Sequence, residues 1–203
     1  MKHLIIIVTA FFFLLSCKNE ADKQQSQSKD SSHANHPASE QNAEVKEVTP
    51  SFTNLDAKAT AYIKSITHNY LKVKNGLAND DAREAANGAE QLAKALADVD
   101  KSVFTPDQKK AFDDYTSELQ EHAGHIAKKS GDIDHQRDHF TMLSEDVAAL
   151  VKAFGGGRTL YQDFCPMAKD NKGAIWVSET KDIKNPYFGS KMLECGEVQE
   201  MIK

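Results

Sequence analysis

Between Thr53 and Phe154 the apolar residues return every three or four positions, in four runs separated by short breaks. That period marks an α-helix with one buried face, and four such runs on short connections leave few ways to bury all four stripes. The first run is Tyr62, Ile66, Tyr70, Val73 and Leu77, ending in the break signals Asn75-Gly76 and Asn79-Asp80-Asp81. Asp81 with Glu84 has the spacing of a capping box for a second run, Ala85, Ala89, Leu92, Leu96 and Val99, whose alanines imply close helix packing. Thr105-Pro106-Asp107-Gln108 is the strongest helix start: Thr caps, Pro fits the first turn and Gln108 reaches back. The third run is Phe112, Tyr115, Leu119, His122 and Ile126, broken at Ser130-Gly131-Asp132. The fourth is Ile133, Phe140, Leu143, Val147, Leu150 and Phe154, stopped by Gly155-Gly156-Gly157.

The expected fold is mainly α: a four-helix up-down bundle over residues 52–157, with a small C-terminal cap over 158–203 in the same domain. In the cap, Leu160-Tyr161 and Ala174-Ile175-Trp176-Val177 read as short strands, and Asn171-Lys172-Gly173 and Asn185-Pro186-Tyr187-Phe188-Gly189 as turns. The cap is too small for its own core, so Trp176, Tyr187 and Phe188 are expected to pack on the bundle.

Residues 1–17 read as a secretory signal. Met1-Lys2-His3 is a basic start, and the apolar run Leu4–Leu15 is shorter than the roughly 20 residues that span a bilayer. Its end, Leu14-Leu15-Ser16-Cys17, resembles the lipobox of bacterial lipoproteins, which implies lipidation at Cys17. Lys18 does not resemble the aspartate inner-membrane retention signal, so the expected location is the outer membrane, facing the periplasm or exposed at the cell surface. Residues 18–51 contain no Phe, Trp or Tyr and are expected to be a disordered tether. His33-Ala34-Asn35-His36 within it reads as incidental.

With Cys17 assigned to lipid, two thiols remain, and each has a methionine beside it: Phe164-Cys165-Pro166-Met167-Ala168, and Met192-Leu193-Glu194-Cys195-Gly196. Thiolate and thioether are soft donors that favour Cu(I) over hard cations. Brought together, Cys165, Met167, Met192 and Cys195 would make a site for Cu(I) or a similar soft ion. The same two cysteines, outside the cytoplasm, equally fit a disulfide. That bond would close a loop of about 30 residues and stabilise by roughly 3–4 kcal/mol in the chain-entropy picture. Both readings require the cysteines to meet. Among the histidines, His122 lies on an apolar stripe at the level of His139 across the Gly131 break and is a possible helper ligand; a core histidine bonded to a neighbour, near Arg137, is the plainer reading. His125 and His135 read as solvated. Paired Glu-x-x-His motifs for a di-iron bundle are absent.

The stretch from Tyr161 to Val198, YQDFCPMAKDNKGAIWVSETKDIKNPYFGSKMLECGEV, resembles the signature of an uncharacterised Bacteroidetes-type lipoprotein family, domain-of-unknown-function family 3347. QRDHFTMLSEDVAALVKAFGG and YLKVKNGLANDD are similar to its helices, so the resemblance runs from about Thr53 to Glu200. The family's domain also occurs fused to periplasmic adaptor subunits of copper and silver efflux pumps, which implies a metal-handling or efflux-accessory role, with such an adaptor as partner. The chain carries no adaptor hairpin or barrel segment of its own. No GxSxG elbow, phosphate-binding glycine loop or HExxH occurs, so no enzyme is expected. Asp80-Asp81 and Asp113-Asp114 read as a cap and a solvated face. A net charge of −5 with no basic stripe argues against nucleic acid.

Overall fold

The structure, a computed structural model, describes residues 45–203. The signal peptide, Cys17, the His33/His36 pair and most of the expected tether lie outside the described residues.

Five helices carry the fold: α1 (Ala57–Ala78), α2 (Ala82–Ala97), α3 (Pro106–Thr116), α4 (Leu119–Lys128) and α5 (Ile133–Phe154). α1 packs on α2, α2 on α4, and α4 on α5, while α3 packs on α5. Four of the five starts have a local cause. Asp56 accepts from Lys58 N (2.7 Å), and Asp132 accepts from His135 N (3.1 Å). Thr105 and Gln108 form the expected reciprocal box, with Gln108 N donating to Thr105 Oγ1 (3.4 Å) and Thr105 N to Gln108 Oε1 (3.1 Å). At α2, Asp81 accepts from Arg83 N and Glu84 N, but its own N–H donates to Gly76 O (2.8 Å) and not to Glu84.

One expected helix is two. The third run breaks after Thr116, where Thr116 Oγ1 donates to Phe112 O (2.7 Å) and Ser117 Oγ to Asp114 O (3.2 Å). Two adjacent hydroxyl residues thereby engage carbonyls of the preceding turn, a known cause of helix bending. The chain restarts as α4 without a side-chain cap.

The C-terminal part is more than a cap of turns. β2 (Leu160–Cys165), β3 (Ala174–Ser178) and β4 (Glu197–Ile202) join β1 (Lys46–Val48) in a four-stranded sheet of order β1-β4-β2-β3. β2 is antiparallel to both β3 and β4, and β1 runs parallel to β4, pairing Glu47 with Met201. Lys46–Val48, within the segment 18–51 expected to be tether, thus form a strand, because β4 offers an edge that their backbone can pair with whatever the side chains.

Helices and sheet share one core. Trp176 is fully buried, with Tyr187 against it at 6.0 Å between ring centroids; Tyr187 also faces Phe140 at 5.7 Å, and Phe140 stacks on Tyr70 at 5.4 Å. Phe188 is half-buried. This is the expected packing of the C-terminal aromatics on the helices.

The α1–α2 contact is close enough to require glycine. A Cβ on Gly76 would lie 2.5 Å from the backbone N and 2.9 Å from the Cα of Ala85. Ala normally gains about 1 kcal/mol over Gly inside a helix. Here overpacking against rigid backbone outweighs that gain, and Gly76→Ala is expected to lower stability by about 1–3 kcal/mol. A urea midpoint equal to or above the parent's would show that the helices do not approach this closely.

Candidate metal centres

The thiols meet because the sheet register makes them meet. Phe164 pairs with Glu197 across β2 and β4, so Cys165 at the end of β2 faces the segment entering β4. Cys165 Sγ and Cys195 Sγ are 3.3 Å apart, and both are free thiols. Cys165 is fully buried and Cys195 half-buried. Gly196 lets the chain pass: its φ is +148°, and a Cβ there would lie 2.8 Å from Trp176 Cη2 and 3.0 Å from Phe164 O. Buried Asn185 ties the loop down. Its Nδ2 donates to Cys195 O (2.6 Å), its Oδ1 accepts from Tyr187 N (2.8 Å) and Phe188 N (3.3 Å), and its own N–H donates to Leu193 O (2.8 Å). Asn185 holds Cys195 in place, a role its turn motif only hinted at. The hydrogen bond with Cys165, aided by burial, pushes the Cys195 thiol above its usual pKa.

Met167 and Met192 line one groove of about 590 Å³ together with Arg137, Tyr187 and Phe188. Met167 is 46% exposed. The cysteines are not among the residues lining this groove. Past Met167, Lys169, Asp170 and Asn171 all take positive φ (56°, 56° and 62°), a left-handed turn in which each residue stores on the order of 1 kcal/mol of strain. Arg137 closes the groove's other side. It donates to Asp80 Oδ1 (2.6 Å), Leu77 O (3.1 Å) and Pro186 O (2.9 Å). Asp80, held by Ser190 first and by Arg137, titrates down at about 2. Asp80 therefore ties the α1–α2 turn to the C-terminal loop, while Asp81 alone caps α2.

A second cluster lies on the α4–α5 hairpin. Four of the chain's eight histidines converge there. His122, 7% exposed, places Nδ1 3.2 Å from His139 Nδ1, the level match expected across the Gly131 break. His125 and His135 are not simply solvated, as their spacing suggested. His125 stacks on His139 at 4.2 Å with the ring planes 8° apart, and His135 lies 4.7 Å from His139. One ligand atom from each of His125, His135 and His139 lies within 4.8 Å of the other two. Antiparallel helices explain this: residues equally far from the Lys129–Asp132 connection face each other. Burial, then the neighbouring His125, His135 and His122, hold His139 below the usual histidine pKa. Its imidazole is therefore neutral, with a lone pair available.

A buried polar group sits between helices and sheet. Tyr70 Oη is 2.9 Å from Ser144 Oγ and accepts from Val177 N (3.0 Å). Lys74, 2% exposed, pairs with Glu179 at 3.1 Å, and Asn75 Nδ2 donates to the same carboxylate (3.0 Å). Asp163 is fully buried, and burial pushes its carboxyl up to about 8 despite the Lys74 ammonium nearby.

Residues 66–159 match the profile of a family described as "Protein of unknown function (DUF3347)". The match covers α2 to α5 and most of α1, so the histidine hairpin lies within it and the cysteine-bearing strands lie beyond it. No curated protein and no solved structure matches the chain.

Proposed function

We propose that this chain is a lipid-anchored, extracytoplasmic protein that binds Cu(I) or a similar soft ion through Cys165 and Cys195, serving as a metal buffer or efflux accessory. The observation that carries the reading is the 3.3 Å contact between two thiols 30 residues apart. Binding would replace two S–H protons by one monovalent ion, giving a bis-thiolate complex with net charge −1 and releasing two protons. Because the Cys195 thiol is held protonated, affinity should rise with pH. Met167 and Met192 follow and precede the two cysteines closely, and rotation of their flexible side chains would add thioether donors. Anchorage at Cys17 would keep the site at the membrane, beside an efflux adaptor or another envelope protein. The role is binding, not catalysis.

The test is a competition titration of the reduced full-length chain with Cu(I), in a Cys17→Ser background. The parent is expected to bind one equivalent tightly. The added pair Cys165→Ser, Cys195→Ser should lower affinity by at least about 100-fold, given the preference of Cu(I) for thiolate. Equal affinity in the two proteins would refute the site.

The same contact, with Cys165 fully buried, favours a second reading: a metal-free interaction module stapled by a Cys165–Cys195 disulfide. A thiol count on natively secreted protein separates the two. Two blocked thiols without metal support the staple; two reactive thiols that Cu(I) protects support the ion site.

A further inference from the structure

We infer that the α4–α5 hairpin is a separate metal site: His125, His135 and His139 form a three-imidazole centre for a borderline divalent ion such as Zn2+, Cu2+ or Ni2+, with His122 holding His139 in place. The inference does not rest on the thiol site. It stands on different donors, different helices and a different class of ion.

Three observations support it. The first is reach. The three ligand atoms lie within 4.8 Å of one another. Tetrahedral zinc, with bonds near 2.0–2.1 Å, sets neighbouring nitrogens about 3.4 Å apart. Closing that gap requires inward movement of about 1 Å, which rotation of the imidazole rings supplies. His125, with 45% of its side chain exposed, is the ring free to swing. The second is unmet bonding. His135 Nε2 and His122 Nε2 are buried, and neither has a hydrogen-bond partner among the described residues. A buried ring nitrogen ordinarily has a partner, and His135 lacks one where two further imidazoles converge. The third is the surrounding shell. His122 Nδ1 faces His139 Nδ1 at 3.2 Å, so that nitrogen of His139 is engaged and Nε2 is left to face an ion. Behind these rings stand carboxylates: Glu118 Oε2 is 3.7 Å from His122 Nε2, and Glu121 Oε1 is 3.7 Å from His125 Nε2. Metal-bound imidazoles are typically backed in this way, which fixes their orientation and raises their basicity.

The donor set selects the ion. Imidazole suits zinc, copper, nickel and iron, while calcium and magnesium require oxygen ligands. Three histidines leave a fourth position open, as in sites that exchange a ligand or pass the ion on. Because the ligands come from both arms of one helical hairpin, the bound ion would clamp α4 to α5.

The test uses the full-length chain carrying Cys17→Ser, Cys165→Ser and Cys195→Ser, with His33→Ala and His36→Ala, so that the thiols and the N-terminal histidine pair are removed. It is titrated with Zn2+ by calorimetry and with Co2+ by visible absorption. One equivalent is expected, with Co2+ giving ligand-field bands of a nitrogen-rich, low-coordinate site, and thermal unfolding moved upward by the ion. His122→Gln should weaken Zn2+ binding roughly 10- to 100-fold, as loss of an outer-shell partner does, and His125→Ala and His139→Ala should weaken it more. His68→Ala, at an exposed position on α1, should change nothing. The His125 ring is exposed enough for its alanine variant to keep the fold, which far-UV circular dichroism checks. Absence of Zn2+ binding, or a His125→Ala variant that binds as the parent does, would overturn the site.

Discussion

Asp163→Asn is expected to stabilise the protein at pH 9 by several kcal/mol and at pH 5 by only about 1–2 kcal/mol. Asp163 is fully buried, neither carboxylate oxygen has a hydrogen-bond partner among the described residues, and burial pushes its pKa from 3.8 to about 8. Lys74 acts against that shift, while Glu179 adds to it. Between pH 3.8 and about 8 the folded chain holds a proton that the unfolded chain has released. The stability associated with protonated Asp163 is therefore full in acid and falls as pH rises through that window. At about 1.36 kcal/mol for each pH unit, the fall reaches at most about 6 kcal/mol. Asn is nearly isosteric and cannot ionise, so it removes the fall. Urea midpoints of parent and variant at pH 5, 7 and 9 measure this directly. Curves that stay parallel across the range would show that Asp163 is not held neutral.

Trp176→Ala should cost about 3–5 kcal/mol, the usual range for deleting a buried aromatic. For a domain of this size that is a drop on the order of 10 °C in Tm. The indole is fully buried in β3, meets Tyr187 edge-on at 6.0 Å, and stands where a Cβ on Gly196 would be 2.8 Å from its Cη2. It therefore supports both the helix–sheet core and the backbone beside Cys195. Two readouts should move together: Tm falls, and the buried Cys165 thiol reacts faster with a small disulfide reagent. A lower Tm with unchanged Cys165 reactivity would separate the indole from the thiol site and leave it only a core residue.

The helices were legible because their signals are local. The Thr105–Gln108 box forms as written, and the stripes of Ile66, Tyr70 and Val73 and of Phe140, Leu143 and Val147 are buried. The break at Thr116-Ser117 was not legible, because the apolar period runs through it without a glycine or proline. β4 was missed for the opposite reason: Glu197-Val198-Gln199-Glu200-Met201-Ile202 alternates poorly, and its strand character comes from pairing with β2 and β1. The meeting of Cys165 and Cys195 was an expectation from composition that strand register realises. The histidines divide. Matching distances from the Gly131 break correctly placed His122 beside His139, whereas the inward turn of His125 and His135 depends on how α4 and α5 rotate about their axes, which the spacing alone leaves open.

Copper K-edge absorption of the Cys17→Ser chain, reduced and loaded with one equivalent of Cu(I), bears most directly on the thiol assignment. A first shell of sulfur scatterers, lost when Cys165 and Cys195 become serine, is expected. A shell of nitrogen or oxygen alone in the protein with both thiols intact would place the ion elsewhere and end the case for a soft-metal site on these strands.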